Sequence, residues 1–168
     1  MKHSLVIMGV SGCGKSTLGA AVARAESALL VEGDAHHSAG NLEKMRNGVA
    51  LTDADRAGWL DALALELRSP AEPVVLTCSA LRAVYRQRLR QAAPGLRFVF
   101  LDITRDAALA RVLARASTHF FSASLVDSQM ATLESPVGEP HVLRVDASAT
   151  FSQLLDQVTT WLHHQDLA

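Results

Sequence analysis

The sequence predicts an α/β fold built on a parallel sheet. Three observations indicate this: five short runs of apolar or β-branched residues, helical patterns between them, and a glycine-rich segment directly after the first run. Most of the runs are continuous rather than alternating, which is typical of parallel strands covered on both faces. We therefore expect three layers, with a five-stranded parallel sheet between two layers of helices.

The strands are predicted at the five short runs of apolar or β-branched residues. Their expected positions are Ser4–Met8, Leu29–Glu32, Val74–Cys78, Arg97–Asp102 and Val142–Val145. In such sheets ligands bind at the carboxyl ends of the strands. The residues that directly follow each strand are therefore the first candidates for a functional site.

The helices are predicted where apolar residues recur on one helical face. One such face consists of Trp59, Leu60, Leu63 and Leu67, and a second consists of Phe151, Leu154, Leu155, Val158 and Leu162. Thr150 with Gln153 is typical of a capping box, and Thr52 with Asp55 is a weaker version of the same pattern. The segment after the glycine-rich stretch, Thr17–Arg24, also has a helical pattern.

The bulk properties favour a single domain that spans residues 1–168. The formal net charge of −1 gives no basic excess of the kind that nucleic-acid binders carry. No apolar run approaches the ~18–20 residues that a membrane span needs, and the first residues do not form a signal peptide. We expect a cytoplasmic protein with neither a nucleic-acid nor a membrane partner.

The glycine-rich segment matches the phosphate-loop pattern GxxxxGK[ST] at every fixed position. Its residues are Gly9, Val10, Ser11, Gly12, Cys13, Gly14, Lys15 and Ser16, followed by Thr17. Glycines let several backbone N–H groups converge on one anion, and the following helix adds its positive end. Lys15 would reach the β- and γ-phosphates of ATP, and the Ser16 hydroxyl would ligate Mg²⁺.

Cys13 lies inside this loop and supports two interpretations. A thiol among converging amides can acquire a lowered pKa, which would make the protein sensitive to oxidation. The simpler interpretation is that a small side chain fits at this position.

Asp34 follows the second predicted strand, in Glu32-Gly33-Asp34. A carboxylate there could face the γ-phosphate and accept a proton from an attacking hydroxyl. It could equally be a helix cap or a solvated turn residue. The third strand ends without an acid, so Asp34 or Glu32 could also help to hold a hydrated metal ion.

Two groups of arginines have helical spacing. Arg82, Arg86 and Arg90 share one face and could bind a substrate carboxylate, or they could form a solvated surface. Arg111 and Arg115 are also spaced by four residues. They lie just before and at the start of residues 114–140, the least regular part of the chain and our candidate for a lid. Arginines there could stabilise charge on a transferring phosphoryl group. His119 lies within the candidate lid, where it could simply pack.

Several segments together resemble the gluconate kinase family. They are Met8–Ser16; Glu32-Gly33-Asp34 with His37, Asn41, Lys44, Met45 and Gly48; Leu51, Asp53, Asp55, Arg56, Trp59 and Leu60; Cys78–Leu81 with Tyr85-Arg86 and Leu89-Arg90; and Arg111, Arg115, His119-Phe120, Ser128-Gln129 and Leu133-Glu134. The resemblance extends from about Leu5 to Asp146. Cys13 departs from the family, in which serine is usual at this position.

The resemblance implies a P-loop kinase fold with a small helical lid, and transfer of the ATP γ-phosphoryl group to the 6-hydroxyl of D-gluconate. It also implies Mg²⁺ and, commonly, a homodimer. By the same resemblance Asp34 faces the acceptor hydroxyl and Arg115 belongs to the lid. The implied gluconate contacts are His37, Arg56, Ser79, Arg86, His119 and Gln129, and Arg111 is placed with the ATP site.

Two other activities stay open at this point. A shikimate-like or nucleotide kinase would share the phosphate loop, although shikimate kinases are expected to carry glycines where this chain has Cys78-Ser79-Ala80. A regulatory module that binds ATP without turnover would also share it. The presence of Lys15, Ser16 and Asp34 favours an enzyme.

Overall fold

A computed structural model of the chain describes residues 1–68, 71–115 and 123–167. The strands are β1 (Leu5–Met8), β2 (Leu29–Glu32), β3 (Val74–Thr77), β4 (Arg97–Asp102) and β5 (Val142–Asp146). They form one sheet in the order β2-β3-β1-β4-β5, and every neighbouring pair is parallel. The prediction of a five-stranded parallel sheet is confirmed, and the predicted strand bounds differ from the observed ones by at most one residue.

Helices connect the strands and contribute the outer layers. They are α1 (Lys15–Ala25), α2 (Ala39–Arg46), α3 (Asp53–Arg68), α4 (Ala83–Ala92), α5 (Arg105–Ala114), α6 (Ala123–Thr132) and α7 (Phe151–Leu167), with a short 3-10 helix at Gly33–His36. No helix within residues 1–68, 71–115 and 123–167 combines the length and apolar character that crossing a bilayer requires.

The two faces of the sheet bury different apolar clusters. Val6 and Met8 point to the side on which Trp59 and Leu63 of α3 pack. Leu5 and Ile7 alternate with them and point to the side covered by α1 and α7. Burial on both faces explains why β1 and β3 are apolar at nearly every position.

Strand β2 departs from this pattern because it lies at the edge of the sheet. Leu29 and Leu30 are exposed although they belong to a continuous apolar run. An apolar run therefore predicted a strand correctly here but overstated how well the strand is covered.

Both predicted capping boxes are present. Thr150 Oγ1 accepts a hydrogen bond from Gln153 N, and Gln153 Oε1 accepts one from Thr150 N at 3.0 Å. At the start of α3, Thr52 N donates to Asp55 Oδ2 at 2.9 Å and Asp55 N donates to Thr52 Oγ1. These reciprocal bonds satisfy backbone donors at the helix N-termini.

The segment 114–140, expected to form a lid, contains α6. This helix packs on α5 through Val126, which belongs to a buried cluster with Val10, Ala108 and Val112. Leu125 packs instead against Met45 and Leu51, near α2. Helix α6 therefore bridges the phosphate-loop side and the α2 side of the molecule at the carboxyl ends of the strands.

Candidate active site

The phosphate loop joins β1 to α1 in a backbone conformation that requires glycine. Gly9, Gly12 and Gly14 all have positive φ, between 82° and 141°. A Cβ atom on Gly9 would lie 2.8 Å from the Leu101 carbonyl oxygen, and one on Gly12 would lie 2.8 Å from that of Ala108. The loop is thus pressed against β4 and α5, and Gly14 leads directly into the N-terminus of α1.

Lys15 and Arg111 contact this loop from different sides. Lys15 Nζ donates to the Val10 carbonyl at 3.0 Å, so the ammonium group lies across the mouth of the loop. Arg111 donates to the carbonyls of Gly12 and Cys13, each at 3.4 Å, and to Ala147 O at 2.8 Å. Arg111, predicted to bind the cofactor, here braces the outside of the loop.

The loop opens into a cleft that could hold a nucleoside triphosphate. The residues that line it are Ser11, Gly12, Gly14, Lys15, Ser16, Thr17, Asp34, Val112 and Arg115. Gly9, Val10 and Cys13, which were also predicted to contact the cofactor, do not line this cleft. Val10 and Cys13 are buried beneath the loop and shape it from within.

Hydrogen bonds connect the loop serine to the end of β2. Ser16 Oγ donates to Glu32 Oε2 at 3.0 Å, and Thr77 Oγ1 donates to the same oxygen at 2.5 Å. Gly33 follows closely, and a Cβ on it would lie 2.2 Å from the Thr77 carbonyl oxygen. The glycine allows β2 and β3 to approach, which brings Glu32 to the phosphate loop.

This oxygen cluster fits Mg²⁺. The ion prefers hard oxygen donors and usually takes only one or two from the protein, with waters and substrate phosphates supplying the rest. Ser16 Oγ and Glu32 Oε2 provide such donors beside the phosphate cleft. Among the residues that the structure describes, no group of three or more His, Cys, Asp or Glu side chains forms a metal cage.

A second cavity adjoins the nucleotide cleft. It is lined by Ser11, Lys15, Asp34, His37, Met45, Ala50, Leu51, Arg56, Trp59, Ser79, Leu125, Ser128 and Gln129. We call it the acceptor cavity. Ser11, Lys15 and Asp34 also line the nucleotide cleft, so these three residues stand at the junction of the two spaces. Asp34 is exposed to solvent.

His37 is held against one wall of the acceptor cavity. Its ring stacks on Trp59 with centroids 4.4 Å apart and an interplanar angle of 13°. Trp59 Nε1 in turn donates to the Gly33 carbonyl at 2.7 Å. Burial lowers the pKa of His37, and Arg56 lowers it further, although Asp34 opposes both effects. A neutral imidazole is therefore favoured beside the cavity.

Arg56 contributes a nearly buried positive charge to the same cavity. Its exposed fraction is 9%, and Nη1 donates to the Tyr85 hydroxyl at 3.4 Å. The guanidinium carbon lies 5.8 Å from the centroid of the Tyr85 ring. Apart from Lys15, it is the only lysine or arginine among the described residues that line this cavity.

Gln129 connects α6 to the phosphate loop. Its Oε1 accepts a hydrogen bond from Ser11 N at 2.7 Å. Ser128 and Leu125, one residue and one turn earlier in α6, line the cavity beside it. The helix thus forms a wall that is shared by the acceptor cavity and the loop.

One predicted acceptor contact, Arg86, does not line the acceptor cavity. Arg86 is fully buried outside the cavity, where its guanidinium binds Glu139 and the carbonyls of Ala80 and Leu81. A direct contact between Arg86 and substrate would require those bonds to break, so it stays a prediction. His119 lies outside the described residues. Arg82 precedes α4 and pairs with Asp53 and Glu134.

Several residues that line the acceptor cavity were not among the predicted contacts. They are Met45, Ala50, Leu51, Trp59, Leu125 and Ser128. Most are apolar, and an apolar residue on a helical face carries no signal that separates a cavity wall from the core. Ser128 could have been predicted from the sequence, because it directly precedes Gln129, which was a predicted contact.

Comparison with known proteins agrees with this architecture. A family model described as an AAA domain matches residues 5–136. The chain is 41% identical to a gluconokinase of Gluconobacter oxydans over 96% of this chain and 92% of that protein. It is 37% identical to the thermosensitive gluconokinase of Escherichia coli, over 92% and 84% of the two chains.

A solved structure of a gluconokinase is also similar to this chain in its fold. The crystal structure of a gluconokinase from Sinorhizobium meliloti superposes with a TM-score of 0.86 at 41% identity, covering 97% of each chain. These likenesses extend over the phosphate loop, the acceptor cavity and α6. The chain therefore belongs to the gluconokinase family.

Proposed function

We propose that this protein transfers the γ-phosphoryl group of ATP to the 6-hydroxyl of D-gluconate, giving 6-phospho-D-gluconate and ADP. The observation that carries the proposal is the position of Asp34, which lines both the nucleotide cleft and the acceptor cavity beside Lys15. A carboxylate at that junction faces the space in which an acceptor hydroxyl would meet a γ-phosphate.

The phosphate loop and its neighbours would hold ATP. Backbone amides of the loop and the N-terminus of α1 attract the phosphates, and Lys15 adds a mobile cation. Ser16 and Glu32 would hold Mg²⁺, which supplies charge neutralisation to the phosphates when bound. Arg115, at the rim of the nucleotide cleft, is placed to stabilise charge on the transferring group.

The acceptor cavity would orient gluconate by its two chemically different ends. Arg56 is suited to the carboxylate, because guanidinium groups bind carboxylates through paired hydrogen bonds. His37, Ser79 and Gln129 offer hydrogen bonds to the hydroxyl groups between the ends. The flat Trp59–His37 stack and the side chains of Leu51 and Leu125 exclude water around the carbon chain.

In the reaction, the 6-hydroxyl oxygen forms a bond to the γ-phosphorus as the bond between that phosphorus and the β–γ bridging oxygen breaks. Asp34 accepts the hydroxyl proton, and the electron pair of the broken bond remains on ADP. Most of the rate enhancement comes from holding the reactants in line and from stabilising the phosphoryl charge.

A substrate panel tests this proposal. Purified protein is incubated with ATP, Mg²⁺ and one acceptor at a time, and ADP is measured by a coupled assay. Gluconate should release ADP far faster than shikimate, nucleoside monophosphates or no acceptor. ADP release that is equal with every acceptor would contradict the proposal. Tight ATP binding without any ADP release would contradict it too, and would favour a nucleotide-binding module.

The cytoplasm as location and a homodimer as assembly belong to the same proposal. The homodimer rests on the resemblance, and the cytoplasmic location rests on the expectation from the sequence. Light scattering coupled to size-exclusion chromatography would measure the assembly, and a mass equal to one 18.0 kDa chain would contradict the dimer.

A further inference from the structure

The side chain of Arg86 is the largest that is fully buried in the described part of the chain, and the proposed reaction does not use it. A buried guanidinium needs partners that replace its hydration. Arg86 finds two kinds. Its Nη1 donates to the carbonyls of Ala80 at 2.8 Å and Leu81 at 3.2 Å, while Nε and Nη2 bind the carboxylate of Glu139.

The first kind of partner belongs to the turn that carries Ser79 into the acceptor cavity. Ala80 is fully buried with φ at 45°, a conformation that a residue with a Cβ rarely adopts. The Ser79 carbonyl also accepts a bond from Gly9 N at 3.4 Å. The turn at Ser79–Leu81 is therefore unusual in shape, and the guanidinium contacts two of its carbonyl groups.

The second kind of partner belongs to residues 133–141, which follow α6, the helix of the candidate lid; we call these residues the post-lid segment. Glu134 of this segment also contacts the turn, and it contacts the first residue of α4 as well. Glu134 N donates to the Leu81 carbonyl at 2.8 Å, and Ala83 N donates to Glu134 Oε2 at 2.7 Å. Arg90 adds a bond to Glu139 at 2.8 Å.

The state of Glu139 matches this role. Burial acts to raise the pKa of Glu139, but the hydrogen bonds from Arg86 and Arg90 outweigh it, and the pKa lies below its usual value. The carboxylate is therefore charged over the working range of an enzyme at neutral pH, and the pair stays intact.

We propose that Arg86, through Glu139, is a positioning residue that sets the spacing between the two walls of the acceptor cavity. One wall is the Ser79 turn and the other is α6 with Ser128 and Gln129. Because one guanidinium binds the turn directly and the post-lid segment through Glu139, loosening it lets the walls separate. The inference rests on the proposed function only for the identity of the acceptor.

The test compares Glu139→Gln with a matched control, Asp166→Asn. Asp166 serves another nearly buried arginine, Arg97, at 2.7 Å, and Arg97 also donates to the Leu162 carbonyl. That pair joins β4 to α7 and has no contact with the acceptor cavity. Both substitutions remove one carboxylate charge from a buried arginine, so they separate a positioning effect from a general loss of stability.

We expect Glu139→Gln to raise KM for gluconate about tenfold while KM for ATP changes less than about twofold, because small misplacements of reacting groups cost large factors. Asp166→Asn should lower Tm and leave both KM values unchanged. Equal gluconate KM in the two variants, or an equal rise of both KM values in Glu139→Gln, would overturn the inference.

A second variant keeps the test decisive if Glu139→Gln does not fold. Glu134→Gln loosens the same post-lid segment at a half-exposed position. It should raise gluconate KM in the same direction by about threefold, a loss typical of one weakened hydrogen bond. An unchanged gluconate KM in this variant counts against the inference.

Hydrogen exchange separates this inference from the proposed function. If the wild-type protein does not turn over gluconate, the function is wrong, yet amides of residues 79–83 and 124–132 should still exchange faster in Glu139→Gln than in wild type. Unchanged exchange in those two segments would reject the positioning role whatever the substrate.

Discussion

The two halves of the cleft are built in different ways. The nucleotide half is formed mainly by consecutive residues, Gly9–Ser16, and its chemistry is mostly that of the backbone. The acceptor half draws side chains from segments that are far apart in the chain: the phosphate loop with Lys15, the 3-10 helix with His37, α2, residues 50–51, α3, the turn after β3, and α6. The phosphate loop binds through its backbone, so few substitutions are compatible with its shape. A cavity lined by side chains can instead be altered by one substitution at a time.

This difference predicts two kinds of variant. Substitutions in the nucleotide half should affect ATP use with any acceptor, because every reaction uses ATP bound at the same phosphate loop. Substitutions in the acceptor half should change the use of gluconate while ATP binding stays normal. Asp34 lies at the junction, so its replacement should have the largest effect on turnover.

Asp34→Asn removes the proton acceptor but keeps the size and position of the side chain. We expect kcat to fall by a factor on the order of 10²–10⁴, the usual contribution of a general base. ATP binding, measured by calorimetry, should change little. Near-normal kcat in this variant would show that Asp34 does not act as the acceptor-side base.

Lys15→Ala removes the cation at the mouth of the phosphate loop. We expect kcat to fall by about 10²–10³, because one preorganised charge is lost at the transferring group, and ATP binding should weaken as well. Steady-state kinetics with ATP and gluconate varied in turn would measure both effects. Lys2→Ala, at an exposed lysine that contacts Asp166, is the control and should behave as wild type.

Arg56→Gln tests the acceptor half alone. Loss of a charged hydrogen bond of about 1.5–3 kcal/mol should raise gluconate KM by roughly 10- to 100-fold, with ATP KM unchanged. The preference for gluconate over a neutral hexitol should shrink by a similar factor, since only gluconate carries the carboxylate. Arg88→Gln, at an exposed arginine paired with Asp61, is the control.

An unchanged preference in Arg56→Gln would assign the carboxylate to another group. Replacement by lysine sharpens the result further. Lysine retains the charge but not the paired geometry of a guanidinium, so Arg56→Lys should recover only part of the lost affinity.

His37 gives the acceptor half a dependence on pH. Its pKa in the folded protein lies below the ordinary value of 6.5, chiefly because of burial. Below pH 6.5 the unfolded chain therefore binds the proton more readily than the folded chain. The stability that neutral His37 contributes is complete above that pH and is lost as the pH falls through the folded pKa.

We expect Tm to fall between about pH 7.5 and about pH 5.5, and to fall less in His37→Gln, which cannot take up this proton. Calorimetry of both proteins across this range measures the difference. His36→Gln removes the neighbouring imidazole, which lies in the 3-10 helix and not in the stack on Trp59, and serves as the control. Identical pH profiles for wild type and His37→Gln would contradict the prediction.

The contrast between the halves also explains what the sequence could predict. The sheet, α1 and the phosphate loop follow from apolar runs and from glycines with a fixed spacing, which are local signals. Asp34 became a candidate for the same reason, because it lies two residues after the end of a strand. Edge exposure of β2 was not predictable, since strand order depends on contacts between distant segments.

The acceptor half depends on such distant contacts throughout. Three arginines illustrate the difficulty, because Arg56, Arg82 and Arg86 look alike in sequence. The first lines the cavity, the second forms exposed ion pairs before α4, and the third is fully buried outside the cavity. Helical spacing placed Arg82 on one face with Arg86, but α4 begins only at Ala83. The family resemblance implied gluconate contacts for both Arg56 and Arg86, and of these two only Arg56 lines the acceptor cavity.

Cys13 offers the smallest expected effect and a last test of the nucleotide half. Its exposed fraction is only 1%, and its sulfur lies beneath the loop, where a Cβ on Gly9 would come within 2.8 Å of it. The other thiol, Cys78, is also buried, and burial raises its pKa to about 12. Only an accessible thiolate reacts readily with an alkylating reagent. Because both thiols are buried, neither should react while the chain is folded.

We therefore expect slow alkylation of the native protein, with or without ATP, and full labelling of both cysteines after unfolding. Cys13→Ser should change kcat by less than about twofold, because the substitution keeps a small side chain below the loop and leaves the backbone amides in place. Its Tm should fall slightly, since a hydroxyl replaces a thiol in an apolar cluster. Rapid labelling of Cys13 that ATP prevents would contradict this expectation. It would show that the thiol is accessible from the nucleotide cleft, and it would favour the interpretation that the protein is sensitive to oxidation.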